Sequence, residues 1–261
     1  MQIPVLSIVF MAISSILSIG LPVFLFIFFY KKYNAKFTPM LFGIAGFIVF
    51  ALVLESAVHY IVLGKFALME KKAVYIVYAI FMAGVFEETA RFICFKILKK
   101  KYRGIGTGLA YGAGHGGTEA ILIAGVAMIT NIVFSLIANS GNIETISGAF
   151  QGKVLEQIVL LQTSPSYLFL LGGIERVFAI CIQISLSIIV FYSVYGKNKL
   201  WLYPFSVILH AIIDMPASMM QAGLIKNIYM VELLALISAV SLVIIAWYIH
   251  KKLKQTTEEC Q

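Results

Sequence analysis

Apolar residues fall along this chain in seven long runs, separated by short stretches that hold most of its lysines and arginines. Each run reaches the roughly 18 residues that an α-helix needs to cross a bilayer. Backbone groups in lipid must be satisfied within the segment, which favours helices. We therefore predict an all-α, polytopic transmembrane helical bundle. Its spans lie at about 4–30, 40–64, 73–97, 105–138, 166–195, 200–221 and 227–249.

Two segments depart from a simple crossing. The span at 105–138 is too long for one straight helix, so we expect it to tilt, to break near its glycines, or to continue outside as a surface helix. Residues 139–165 are amphipathic with a single lysine, which predicts an outer interfacial loop with a short helix. No shift in composition divides the chain, and residues 1–261 are interpreted as one transmembrane domain.

Composition narrows the class of protein. Hydrophobic residues make up 61% of the chain and charged residues 12%, against about 25% charged in soluble domains. The basic residues do not form a patch interleaved with aromatic residues on a soluble surface, so nucleic-acid binding is not expected. We expect an integral multi-pass protein of the cell membrane, surrounded by lipid. No pattern in the sequence sets its oligomeric state.

The basic residues also predict an orientation. Thirteen of the 20 lie in one alternate set of loops and at the C-terminal end, and five lie in the other set. Cytoplasmic loops carry the excess of lysine and arginine, so the N-terminus is predicted outside and the C-terminus inside. The loop at 65–72 runs against this assignment, because it holds three lysines on the predicted outer side.

The third span contains two adjacent carboxylates and an arginine, Glu87, Glu88 and Arg91. Charged groups within a span are costly in lipid and mark functional interiors. Arg91 lies four residues after Glu87 and shares its helix face. Glu88 is rotated by about 100° and is expected to stay free for another role. A Glu–Arg pair that pins two helices would explain one carboxylate and leave the second unexplained.

Two other spans each carry a histidine followed four residues later by a carboxylate, His115 with Glu119 and His210 with Asp214. Glu87, His115 and His210 each lie about ten residues from the inner end of their span, or roughly 15 Å. Three helices thus place polar groups at one depth, which predicts that these groups meet.

These residue types favour the activation of water. Two imidazoles and a carboxylate form a three-ligand metal site with an open position for water, so His115, His210 and Glu87 are the expected ligands if a metal is bound. The second carboxylate would then serve as general base. Glu119 and Asp214 are expected to orient the imidazoles.

A further polar element contains Glu175 and Arg176, followed by Gln183. Neighbours in sequence do not face one another on a helix, so Glu175 and Arg176 are each expected to find a partner elsewhere. Arg176 is expected to meet Glu119 or Glu55. Gln183 lies nearer the depth of the histidines, where it would hydrogen-bond a catalytic group or a substrate carbonyl, or simply pack.

Two remaining histidines and one proline complete the polar pattern. His59 and His250 are interpreted as packing residues, His59 as the partner of Glu55 four residues before it. Pro216 follows His210 and Asp214 within the sixth span. A proline kink there would open a cavity beside the predicted site.

Glu87-Glu88-Thr89-Ala90-Arg91, Tyr111 to His115, and His210 to Asp214 resemble, in that order, the three motifs of the CAAX-protease and bacteriocin-processing superfamily. Within it, the Gly-His-Gly-Gly-x-Glu and Glu-Arg elements resemble the YhfC-type intramembrane metalloproteases. The resemblance covers nearly the whole chain. It implies a cavity open toward the cytoplasmic half, where Glu87 and His115 activate water for hydrolysis of a peptide or protein substrate in the membrane. His210 and Asp214 would complete the site or hold the oxyanion.

The resemblance leaves the cofactor open, because both a zinc ion and a metal-free, glutamate-activated water fit the motif. It also implies a histidine after the Glu-Arg element, and Gln183 stands at that place. A protease is therefore the leading interpretation, with catalytic competence dependent on Gln183. A non-catalytic membrane scaffold of the same fold is the alternative. A proton-coupled transporter is disfavoured by the absence of inverted repeats.

Overall fold

The computed structural model of this chain describes residues 2–65, 71–141 and 151–258, and these residues form helices and short connections without a strand. Ten α-helices follow one another in the described ranges. They are α1 (Val5–Tyr33), α2 (Phe37–Gly46), α3 (Ser56–Lys65), α4 (Lys72–Leu98), α5 (Gly106–Glu119), α6 (Val126–Asn139), α7 (Gln151–Thr163), α8 (Tyr167–Tyr195), α9 (Leu202–Gln221) and α10 (Ile228–Glu258).

Among the described residues, seven helical segments are long and apolar enough to cross a membrane. Their bounds agree with the predicted spans to within a few residues, and the all-α membrane fold is confirmed. Orientation and the placement of 139–165 at an interface stay predictions. Within that segment α7 supplies the expected short helix, whereas residues 142–150 lie outside the described part of the chain, as do residues 66–70 of the basic loop.

Two spans contain a stretch of wider π-helix, which the sequence did not predict. Residues Phe47–Glu55 join α2 to α3, and residues Ala120–Gly125 join α5 to α6. The long fourth span is thus one continuous helical run with an irregular turn after Glu119. A π stretch rotates the residues that follow it relative to a regular helix and is often found at functional sites.

Helix contacts divide the chain into two groups. The first comprises Met1–Leu21 and Glu119–Val177. Its apolar core contains Ile3, Met11, Leu161 and Phe169. Polar bonds tie the same helices together, since Ser14 Oγ donates to the carbonyl of Phe169 at 2.5 Å.

The second group comprises Pro22–Thr118 and Phe178–Gln261. Its core is built largely from α4, α8 and α10, with aromatic rings in contact around Phe95 and Phe191, whose centroids are 5.8 Å apart. The predicted site residues that lie within this group are Glu87, Glu88, Arg91, His115, Gln183, His210 and Asp214. It therefore holds most of the predicted site.

Close packing of α5 fixes the position of His115. A Cβ atom on Gly112 would lie 2.8 Å from Cα of Ile184, and one on Gly116 would lie 2.6 Å from Cβ of Gln183. On another face, a Cβ on Gly114 would clash with the carbonyl oxygen of Met40. The glycines thus let α2 and α8 approach the α5 backbone, as small residues do between membrane helices.

Candidate active site

Glu87 is the centre of a buried hydrogen-bond network. Its Oε2 atom lies 2.9 Å from Nε2 of His115 and accepts a bond from Nε2 of Gln183 at 3.0 Å. Arg91 Nη2 reaches the same oxygen at 3.5 Å. α4, α5 and α8 therefore each contribute a side chain to one carboxylate oxygen, as the common depth of Glu87 and His115 predicted.

Glu88 belongs to the same network through a different histidine. Its Oε1 atom accepts a bond from Nη1 of Arg91 at 2.6 Å and lies 2.7 Å from Nδ1 of His210. Glu88 is fully buried, whereas Glu87 keeps 8% of its surface exposed. Of the two carboxylates, Glu87 is thus the more exposed.

The predicted pairing of Arg91 with Glu87 is confirmed, whereas the expectation that Glu88 would stay free is wrong. Arg91 bonds both carboxylates and lies closer to Glu88. Spacings of three and four residues both put side chains on one helix face, and a guanidinium has donors enough for both. Arg91 also bonds Gln183 and, at 3.2 Å, Ser187 Oγ.

His210 links the buried network to Asp214. Its Nε2 atom lies 3.3 Å from Oδ2 of Asp214, one helical turn further along α9, while Nδ1 faces Glu88. An imidazole donates from both nitrogens only when it is protonated. A protonated His210 and Arg91 together would balance the charges of Glu87 and Glu88 at the buried centre.

Two atoms of the network have no hydrogen-bond partner among the described residues, Nδ1 of His115 and Oε2 of Glu88. Both are buried. Because buried polar atoms in native proteins nearly always have a partner, these two are suited to bind water or a polar group of a substrate. The aromatic rings of Phe47 and Tyr111 hold the His115 ring on two sides.

The Glu-Arg element forms a separate ion cluster in the first helix group. Arg176 Nη1 donates to Glu119 Oε1 at 3.1 Å, and its other nitrogens bond Glu175. The predicted Arg176–Glu119 pair is confirmed. The expectation that Glu175 and Arg176 would not meet is wrong, because long side chains close the 100° between neighbouring positions. Glu119, expected to orient His115, bonds Arg176.

A cavity of about 340 Å³ lies along α3, α4 and α9. Ala83 and Asp214 line it, one turn before Glu87 and one turn after His210, and Gln221 lines it at the C-terminal end of α9. A cavity beside the site was predicted from a kink at Pro216, and Pro216 is not among the residues that line this one. The cavity extends toward the N-terminal end of α4 and the C-terminal end of α9, opposite to the predicted cytoplasmic ends.

The sequence pattern indicated a functional role for Asp214 but none for Glu55, His59 or Tyr78, which also line this cavity. His59 was interpreted as a packing residue, and its pairing with Glu55 is confirmed at 3.2 Å. Its Nδ1 atom also lies 2.8 Å from the hydroxyl of Tyr78. All three residues face the cavity. The i, i+4 pattern of Glu55 and His59 equals that of His210 and Asp214, and it was the available signal.

The donor arrangement does not fit a metal held by His115, His210 and Glu87. The two imidazoles bond different carboxylates, and the guanidinium of Arg91 bonds both, so a divalent cation would stand beside a fixed positive charge. Within residues 2–65, 71–141 and 151–258, no three His, Cys, Asp or Glu side chains come together in metal-binding geometry.

Comparison with known proteins identifies a matching family. The sequence profile of the YhfC intramembrane metalloprotease family matches residues 17–235. The uncharacterized membrane protein YhfC of Bacillus subtilis strain 168 is 38% identical over 256 residues, which are 94% of this chain and 96% of that protein. No solved structure matches significantly.

Proposed function

The chain belongs to the YhfC intramembrane metalloprotease family, and from this premise we propose that it is a membrane-embedded endopeptidase. Its substrate is a peptide or protein segment that reaches the site from the membrane, and the protein resides in the cell membrane with its N-terminus outside. The three motifs on α4, α5 and α9 support a place for this family within the CAAX-protease superfamily.

Glu87 is the general base of the proposed reaction. It takes a proton from a water molecule while the water oxygen attacks the carbonyl carbon of the scissile peptide bond. His115 holds the carboxylate and orients the water. The proton then passes to the amide nitrogen as the C–N bond breaks, which gives a carboxylic acid and an amine. Both ring nitrogens of His210 bond carboxylates, those of Glu88 and Asp214, so a protonated His210 stabilises the oxyanion through its positive charge.

Arg91 and Gln183 position Glu87 without touching the substrate, and Glu88 holds Arg91 in place. A carboxylate that accepts bonds from three side chains has one orientation, and a fixed orientation lowers the cost of reaching the transition state. A metal, if the protein carries one as the family name indicates, would supply Lewis-acid activation of the water. The arrangement of donors around Arg91 favours activation by the side chains alone.

The observation that carries this proposal is the buried 2.9 Å contact between Glu87 and His115. It lies one helical turn along α4 from Ala83, which lines the cavity. The test uses purified protein in lipid nanodiscs and a mixture of synthetic peptides, with cleavage followed by mass spectrometry. Glu87→Gln should lower cleavage by about 10³-fold, within the range that a general base contributes. Glu175→Gln, in the other ion cluster, is the matched control and should retain activity.

A non-catalytic scaffold is the second candidate, and Gln183 favours it. This side chain bonds both Glu87 and Arg91, so it closes the network where the resemblance implies a histidine. A scaffold predicts no cleavage of any peptide by the unmodified protein. It also predicts that Glu87→Gln leaves the set of co-purifying membrane proteins unchanged.

A further inference from the structure

The cavity beside Asp214 combines a position next to the proposed catalytic residues with a polar lining. Its volume of about 340 Å³ is near the lower end of the range for ligand pockets, about 300–1,000 Å³. That is room for one long side chain with a few waters. It begins at Gln221 and ends at Ala83, four residues before Glu87. A chain segment that reaches Glu87 therefore has this cavity as its neighbour.

The acidic and basic side chains of the cavity are two carboxylates and one histidine. Glu55 pairs with His59 at 3.2 Å, and Asp214 pairs with His210 at 3.3 Å. The side chain of Asp214 is 36% exposed, so part of its carboxylate remains accessible. Two carboxylates that face one cavity repel each other, and a cation between them removes that repulsion.

The remaining polar side chains are acceptors or neutral donors. The hydroxyl of Tyr75 bonds Gln221 at 3.0 Å near the end of α9, and Tyr78 bonds His59 further in. No lysine or arginine lines the cavity within the described part of the chain. The lining thus suits a positively charged group on an aliphatic stem, since the walls also include Leu63, Ala79 and Ala217.

We propose that this cavity is a specificity subsite that binds a lysine or arginine side chain of the substrate, next to the bond that is cleaved. The inference rests on the proposed protease function for its role in cleavage. The charge preference of the cavity is independent of that function, and this independence allows the two to be tested separately.

The first test measures the charge preference without substrate. All three native cysteines are replaced by serine, and Ala217→Cys places a thiol in the cavity wall. Its rate of modification is measured with two methanethiosulfonate reagents of similar size, one trimethylammonium and one sulfonate. Because carboxylate-lined clefts concentrate cations about tenfold or more, the cationic reagent should react about tenfold faster, relative to the exposed control Ser140→Cys.

Glu55→Gln should bring this ratio down toward the value at Ser140→Cys, whereas Glu175→Gln removes the same charge from the other ion cluster and should leave it unchanged. Ala79→Cys repeats the measurement from α4 in case Ala217→Cys does not fold. Three results would overturn the subsite. The ratio of the two rates could equal that at Ser140→Cys, or it could be unaffected by Glu55→Gln. The third is that neither reagent reacts at either cavity position.

The second test measures cleavage of paired peptides that carry lysine or norleucine beside the cleaved bond. The lysine peptide should have a kcat/KM about tenfold higher, and Glu55→Gln should bring the two values together. Equal cleavage of both peptides by the unmodified protein would refute the proposed specificity. If neither peptide is cleaved while the reagent preference persists, the protease function fails and the cation-selective cavity stands.

Discussion

Two arginines within the helical spans are each flanked by two carboxylates, and their surroundings differ. Arg91 is inaccessible to solvent and is joined by two histidines and Gln183. Arg176 bonds Glu119 and Glu175, and the three side chains keep between 14% and 29% of their surface exposed. The first cluster leaves Nδ1 of His115 and Oε2 of Glu88 without a described partner. An ion pair whose atoms all have partners is a structural feature. Buried charged groups that keep polar atoms without a described partner indicate a site that can bind water or substrate.

The largest expected difference between the clusters is in stability. Arg91→Ala leaves Glu87 and Glu88 buried without their shared cation, which should cost about 3–5 kcal/mol of unfolding free energy. Arg176→Ala should cost roughly 1 kcal/mol, because its carboxylates are partly exposed. Reversible unfolding in mixed micelles measures both. Equal losses would show that the two clusters have the same structural role.

Substitutions at tightly packed glycines should have different effects in the two helix groups. Gly114→Ala places a methyl group against the carbonyl of Met40, which should cost about 1–3 kcal/mol and displace His115 from Glu87. Gly172→Ala is the matched control, since its Cβ would lie 3.8 Å from Met128 and alanine favours the helix. Thermal stability and peptide cleavage are measured together. An active Gly114→Ala protein would contradict the fixed position of His115.

Gln183 should affect catalysis more than stability. Gln183→Ala removes one donor to Glu87 and one acceptor for Arg91, and we expect kcat to fall about tenfold, equivalent to about 1.4 kcal/mol. The control is Gln157→Ala in the first helix group, where Gln157 bonds Asn131 at 3.0 Å. A normal kcat in the Gln183→Ala protein would reduce this glutamine to a packing residue.

The smallest expected effect concerns metal. Since Arg91 bonds both carboxylates, we expect purification in zinc-replete buffer to leave substoichiometric zinc, and a chelator to leave peptide cleavage unchanged. Elemental analysis of the unmodified protein and of His115→Ala and His210→Ala measures this. One zinc per chain that is lost in both variants would establish the His–His–carboxylate site instead.

The spans and the residues of the site could be predicted from the sequence, because the free energy of transfer into lipid determines both. Long apolar runs can only be helices there, and a charge within a span must find a partner. Equal depth along three helices then brought Glu87, His115 and His210 together. The choice between Glu87 and Glu88 rested on resemblance in the sequence. The structure distinguishes them by exposure and by the histidine that each one bonds.

The features that sequence did not provide depend on side-chain length and on helix irregularity. Arg91 contacts Glu88, Glu87 and Gln183 at once. Helix-face spacing cannot predict which of these contacts is the shortest. The π stretch at Phe47–Glu55 has no sequence signal, although it changes the register of His59 relative to Phe47. The cavity required the position of α3 against α4 and α9, which no periodicity specifies.

The glycines of α5 have a consequence for how such a protein can change over evolutionary time. Backbone from α2 and side chains from α8 occupy the space where side chains at Gly112, Gly114 and Gly116 would lie. Few substitutions can be accepted around His115, whereas the walls of the cavity, with Ala79, Ala83 and Ala217, have room to vary. New substrate preferences can therefore arise at the cavity walls while the helix that carries the histidine stays the same.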